Sequence, residues 1–513
     1  MARSPVAIIA PRWPGAVVVA LVLALTLGTL ASVLFRAGAI GTLTSADWSA
    51  VRFTVAQAFV SAAVSVVLAV PVARALARRQ FRGRSALITL LGAPFILPVI
   101  VAVLGLLAIF GRNGILNSVL KSFDLPTLFI YGFTGVVLAH VFFNLPLAIR
   151  ILVQGHLSVP VERYRLTASL GGSVLRLIEV PMLKRLLPGA FLSIFLICLT
   201  SFTVALILGG GPSATTVELA IYQAVRFDFS LDRAAVLAAV QMAIGACSAL
   251  LVWRFDLPQP VEGGLDRHSM RWDGQSLWAR VLDGTAILLT ALFLVLPLGM
   301  VIWRGVAGLG DLPDVIWPAI GRSMTVSLVA TALTSCAAVA MALRGGRAVA
   351  IAMALPLVAS SLVAGVGLFL LLHPVTNPAH WALPVAILMN TLMALPFATR
   401  ILQPSVEAVQ RDYGRLAVAL GLSRWTYVRL IVLPRIRRPL GFAAGLTAAL
   451  SMGDLGVIAL FATEQQQTLP LLMYQLMGSY RTDAAWGAAL VLLGLCLVLF
   501  IIMDRGGRID ADL

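Results

Sequence analysis

Charge is scarce in this sequence. Only 12% of its 513 residues are Asp, Glu, Lys or Arg, and lysine occurs twice, at Lys121 and Lys184. Soluble globular domains carry about a quarter charged residues, which argues against a soluble protein with all its apolar runs buried. The lysine shortage also excludes a phosphate-binding loop of the form G-x-x-x-x-G-K-[ST], whose Lys must reach the phosphates. Lys184 is followed by Arg185, Lys121 is preceded by Leu120, and the glycine run "GGGP" (209–212) has no Lys. Cysteine is rare too. Cys198, Cys247, Cys336 and Cys496 all lie inside apolar runs and read as small buried hydrophobes, not disulfides or zinc ligands. The five histidines show no ligand spacing. With no nucleophile–base pattern either, no catalytic residue, cofactor or metal is expected.

What is abundant is apolar length. Hydrophobic residues make up 60% of the chain and mean hydropathy is +0.97. Runs of about twenty such residues cross a bilayer as helices. Their lengths and flanking charges predict twelve spans, near 16–35, 53–77, 86–110, 131–153, 186–208, 233–253, 281–303, 323–343, 348–372, 381–402, 439–461 and 484–504. The first run exceeds the 7–15 residues of a signal-peptide core and is expected to be retained. Net charge is +16, and its distribution points to the membrane, not to nucleic acid. One alternating set of segments, which includes both termini, holds 27 of the 38 Lys and Arg residues, and the opposite loops hold five. The positive-inside rule then places both termini in the cytoplasm.

The chain repeats itself. "NLPLAIRIL" (144–152) answers "MALPFATRIL" (393–402), with Pro146 and Pro396, and Arg150 and Arg400, 250 positions apart. "RLTASLG" (165–171) answers "RLAVALG" (415–421) at the same offset. Six spans per copy insert the same way up, so the expected fold is all-α and polytopic, two parallel six-helix repeats with a pathway between them. The expected division is 1–253 and 281–513, joined by a polar cytoplasmic linker over 254–280.

Each copy carries one long cationic segment between its fourth and fifth spans. The second, "RLAVALGLSRWTYVRLIVLPRIRR" (415–438), reads as helix–Gly–helix–Pro. Leu416, Ala419 and Leu420 share one face before Gly421, and Trp425, Val428 and Val432 another after it. Such an element either docks into a groove on a soluble partner or rests on anionic lipid.

The spacing of Gly421 to Ile431-Val432-Leu433-Pro434 resembles the "EAA…G…I-LP" loop of permease subunits of binding-protein-dependent ABC importers. Arg415 and Leu416 replace the usual Glu and Ala; Ala417 and Gly421 keep the pattern. In the first copy Arg165, Leu166, Gly171 and Pro181 correspond, but three residues are missing between Gly171 and Pro181. The resemblance implies a type I importer permease in the bacterial inner membrane, two copies of an ATP-binding subunit seated on these loops, and a periplasmic binding protein. Further blocks, "LGGGPSATTVELAIYQAVRFDFSLDRAAVLAAVQM" (208–242), "VLAHVFFNLPLA" (137–148), "SMGDLGVIALF" (451–461) and "LPLLMYQLMGSYR" (469–481), resemble permeases for thiamine and thiamine diphosphate. Ferric-iron importers share the fused layout. An ion-coupled secondary transporter fits less well, because it needs several buried ionisable residues.

Asp454 is such a residue, read either as a pathway or gating group or as a structural hydrogen-bonding one. His140, Asn144 and Asn390 are read as interhelical hydrogen bonders or pathway groups, and Pro146 and Pro396 as flexing or static kinks. Glu218, Tyr222, Tyr474 and Tyr480 fall on the outer side, where they meet either a binding protein or the membrane interface.

Overall fold

The computed structural model describes residues 10–37, 43–211, 214–252 and 275–507. Most of the expected linker, 254–274, lies outside them. Within the described residues the regular structure is helical, and eleven helices are long and apolar enough to span a membrane. The bent pair Arg347–Pro356 and Ser361–Leu372, turned through 87°, makes a twelfth. Large apolar side chains such as Leu21, Phe35, Leu288 and Leu289 remain exposed on the outer helices. Lipid tails, not water, are the solvent these surfaces fit.

Local chemistry sets the ends of the spans. Thr44 and Asp47 form a capping box that opens the second span, Ser45–Arg78, each side chain satisfying the other's backbone N–H. Ser276 caps Leu277–Gly308 by accepting from the Ala279 N–H at 3.3 Å.

Four spans expected to be continuous are broken. The third turns between Arg84–Leu90 and Val99–Phe110, with Pro98 at the break. The ninth breaks at Ser360, which takes a left-handed φ of 52°. The fifth stops at Leu199 and resumes as Thr203–Leu208, and the eleventh stops at Met452 and resumes as Gly456–Phe461.

The halves of the sequence exchange their first spans. Trp13–Ala37 lies against residues of the C-terminal half. An added Cβ on Gly15 would fall 2.4 Å from the Ala340 oxygen, and one on Gly367 would fall 2.4 Å from the Thr29 oxygen. Ser32 Oγ also donates to the Gly367 oxygen at 2.9 Å. Reciprocally, Leu277–Gly308 lies against the N-terminal half, where a Cβ on Gly105 would meet the Pro297 oxygen at 2.6 Å. Close backbone approach through small residues is how membrane helices gain packing energy where no hydrophobic drive exists.

An ion cluster fastens the same exchange. Asp283, near the start of Leu277–Gly308, receives Arg78 at 2.5 and 2.7 Å and Arg79 at 2.6 Å, with Asp283 and Arg78 both buried. Removing the Asp283 carboxylate takes a shared ion-pair partner from two guanidiniums, one of them buried, and breaking a buried pair in this way costs about 3–5 kcal/mol. Asp283→Ala should therefore lower the thermal unfolding midpoint of the detergent-purified protein by many degrees. An unchanged midpoint would show that the cluster does not hold the halves together.

Candidate functional site

The four breaks converge. Gly453, at the eleventh-span break, packs so closely on Pro98 that a Cβ there would sit 3.0 Å from two Pro98 carbons. A Cβ on Gly456 would lie 3.5 Å from Ser361 Oγ, 3.6 Å from Asp454 Oδ1 and 3.8 Å from Phe202 Cδ1. Residues from the third, fifth, ninth and eleventh spans thus meet on one seam between the halves.

Each break frees backbone groups that need partners away from water; side chains from other helices reach the fifth and eleventh breaks, and local side chains cap the ninth and eleventh. Gln57 donates to the Cys198 oxygen at 3.0 Å and Gln241 to the Leu199 oxygen at 2.8 Å. Within the C-terminal half, Ser327 donates to the Ala448 oxygen at 2.8 Å, and Asn390 reaches Ser451 Oγ at 2.9 Å. Asp454 Oδ1 accepts from the Gly456 N–H at 3.2 Å, and Ser360 Oγ accepts from the Val363 N–H at 3.2 Å. Asp454 Oδ2 and Thr468 Oγ1 have no hydrogen-bond partner among the described residues. Both residues line a cavity of about 10 Å³ with Ser323, Asn390 and Ser451, room for about one water.

The expected pathway residues therefore divide. Asp454 and Asn390 lie together at the seam. His140 and Asn144 do not join them: Asn144 donates to the His140 oxygen at 2.8 Å and contacts Cys198 Sγ at 3.4 Å, inside the N-terminal half. Pro146 and Pro396 sit within unbroken helices, Phe133–Leu157 and Ala382–Ala419. Sequence reading missed Gln57, Gln241 and Ser360. The available signal was an amide, or a serine pair, inside an otherwise apolar run.

The cationic segments form two matched surfaces. Gly171 and Gly421 take left-handed φ values of 63° and 61°. The N–H after each reaches back to the oxygen five residues earlier, Gly172 to Thr167 at 2.8 Å and Leu422 to Ala417 at 3.0 Å. This is the glycine-dependent Schellman end of a helix. Next comes a π-helical turn, Leu175–Glu179 or Val428–Val432, just before Pro181 or Pro434. Proline cannot donate to the carbonyl four residues back, and the wider turn accommodates the gap. The second loop holds one extra helical stretch, Arg424–Tyr427, where the first lacks three residues. The first has its own anchor: buried Glu179 meets Arg74 at 3.0 Å.

The expected apolar stripe after Gly421 is corrected. Val428 and Val432 are buried within this chain, as is Ala417, while Trp425 points outward with Leu430. The outward set is Leu416, Leu420, Trp425 and Leu430, and its counterpart is Leu166, Leu170, Leu175 and Leu177. Arg165, Arg415, Gly421, Ile431 and Pro434 are exposed or half-buried on the same loops. Two outer residues are corrected as well: Glu218 and Tyr222 are buried and offer nothing to a partner in this state, whereas Tyr480 is 90% exposed and Tyr474 half-buried.

Residues 345–507, which carry the second loop and the eleventh-span break, match the family described as binding-protein-dependent transport system inner membrane component. The chain is 40% identical over 478 residues to the thiamine transport system permease protein ThiP of Brucella abortus, covering 89% of this chain and 87% of that one. It is 37% identical to ThiP of Salmonella typhimurium over 524 residues, covering 96% and 97% of the two chains. ThiP of Escherichia coli is 37% identical over 490 residues, covering 91% and 90%. The chain belongs to the ThiP permease family. As a ThiP-family protein it is a multi-pass transport subunit and not an enzyme, and an ABC permease of this kind works with an ATP-binding subunit and a binding protein.

Gly453 tests the seam. Valine there would force its branched side chain against Pro98 and hold the two breaks apart. In membranes containing the assembled transporter, Gly453→Val should uncouple ATP hydrolysis from uptake, with hydrolysis retained and uptake lost. Normal uptake would show that the seam need not close.

Proposed function

We propose that this chain is the permease of an ATP-driven importer for thiamine and its phosphate esters, with residues 1–253 and 281–513 supplying the two transmembrane domains. The similarity to ThiP proteins over about nine-tenths of the chain carries the substrate assignment. The mechanism draws on the paired loops: two copies of an ATP-binding subunit sit beneath them, one on each, on the cytoplasmic side with both termini.

Closure of the two ATP-binding subunits would draw the loops together. Because the first loop runs directly into Val180–Leu199 and the second reaches Arg437–Met452 across one turn at Ile436, that movement would reach the breaks at Leu199 and Met452 along these helices. The seam then opens toward the outer face, accepts substrate from the binding protein, and reopens inward after hydrolysis. Charge on the loops steers the acidic rim of a partner groove, while the outward leucines and Trp425 supply the apolar contact. Arg435 is already engaged, its guanidinium 3.7 Å from the centre of the Tyr413 ring.

Charging the second apolar patch should break the complex without unfolding the permease, because these side chains already face outward. Leu420→Asp with Trp425→Asp should abolish co-purification of the ATP-binding subunit and reduce labelled thiamine uptake to background, with an unchanged elution profile. Retained co-purification would remove this loop from the interface. Uptake of ferric iron, in place of thiamine, by the wild-type transporter would overturn the substrate.

A further inference from the structure

The outer side of the seam holds a group that neither the breaks nor the loops require. Glu218 stands second in the short outer helix Val217–Arg226, whose first N–H donates to Thr54 Oγ1 at 2.9 Å. Its side chain is fully buried, and neither carboxyl oxygen has a hydrogen-bond partner among the described residues. Burial pushes this carboxyl up to about 8, while the approach of Ser360 and Gln241 pulls it back down.

The amides at the fifth-span break have oxygens to spare. Gln241 and Gln57 spend their amide nitrogens on the Leu199 and Cys198 oxygens. Those partners assign the amide orientation, and both Oε1 atoms are left buried and unpartnered. Arg226 lies at the far end of the same helix and donates to the Ala462 oxygen at 3.2 Å. A fully buried acid approached by the Ser360 hydroxyl and the Gln241 amide, with no charged group among them, is a costly arrangement to keep for stability alone.

Aromatic rings complete the setting. Tyr222, four residues on and so on the same helical face, is buried, with its ring 5.3 Å from Phe202 at an interplanar angle of 60°. Phe202 belongs to the fifth-span break. Tyr474 occupies the corresponding place in the second copy. Burial raises its pKa, and the nearby Tyr222 hydroxyl raises it further. Ser360, at the ninth-span break, belongs to the C-terminal half, so the cluster bridges the seam.

We infer that Glu218, with Gln241 and the rings of Tyr222 and Phe202, forms a transient subsite for the cationic aromatic ring of the substrate as the seam opens outward. A carboxylate beside aromatic faces is suited to a planar organic cation, and the thiazolium of thiamine is one. The arriving cation supplies the partner that the closed seam withholds. As the halves close behind it, Glu218 is desolvated again and its affinity for the cation falls once the proton returns, which favours release inward.

This inference rests on the thiamine reading, and the test separates the two. The permease, its ATP-binding subunits and its binding protein are reconstituted in liposomes, and labelled thiamine uptake is measured beside ATP hydrolysis. Glu218→Gln keeps the shape of the protonated acid and should lower uptake about tenfold or more, with hydrolysis stimulated by the loaded binding protein retained. Glu218→Asp should keep part of the uptake. Wild-type uptake in Glu218→Gln would overturn the subsite. Joint loss of uptake and stimulated hydrolysis would overturn it too, in favour of a structural role for Glu218. A wild-type transporter that hydrolyses ATP without carrying thiamine would overturn the substrate reading instead.

Discussion

A helix that breaks inside a bilayer must find partners for its freed backbone groups, because no bulk water reaches them. That requirement organises the interior of this protein. Where the fifth and eleventh spans stop, polar side chains from different helices answer: Gln57 at Cys198, Gln241 at Leu199, Ser327 at Ala448, Asn390 at Ser451. The polar residues are therefore not scattered. They collect where the breaks collect, and the breaks collect between the halves. A seam with its hydrogen bonds satisfied by side chains rather than by a regular ladder can exchange them, which a continuous helix cannot do without unfolding.

The exchanged first spans complement this. Movement at the seam would separate two independent bundles, but each half is gripped by the other's first span, through glycine contacts on one side and the Arg78–Arg79–Asp283 cluster on the other. The seam is thus free to rearrange while the periphery stays fixed. Rigid-body rocking of repeats around a central site needs this division of labour.

Much of this was legible in the residues. Apolar length located the spans, and the offset of 250 matched Gly171 to Gly421, where both turn out to hold the same left-handed helix end. The missing turn in the first loop was visible as a three-residue shortfall. The breaks were not legible, because hydropathy averages over a window and Ser360 or Gly453 barely lowers it. Nor was the fate of Trp425 against Val428 and Val432: hydropathy groups all three as apolar, yet the two valines pack inward against this chain while Trp425, on the short helix before the π turn, faces outward. Glu218 was misplaced for a related reason. Its segment is too short to span, so sequence placed it at the surface, whereas the helix folds back into the protein.

The two buried acids of the seam differ in a way that bears on direction. Asp454 sits at a break with one oxygen held by the Gly456 N–H and the other facing a water-sized polar space. Glu218 lies nearer the outer loops, with no such bond and with aromatic rings beside it. The repeat gives neither a matching acid: beyond the shortened loop the residue 253 before Asp454 is Ser201, and the residue 252 after Glu218 is Pro470. The duplicated scaffold has thus placed these two acids asymmetrically, one on each copy. An outward-opening seam would expose Glu218 before Asp454, so a cation would meet the partnerless carboxyl first and the hydrogen-bonded one second. On the proposed path, two acids of unequal environment would provide successive, unequal contacts, an ordering that suits passage better than a single deep well.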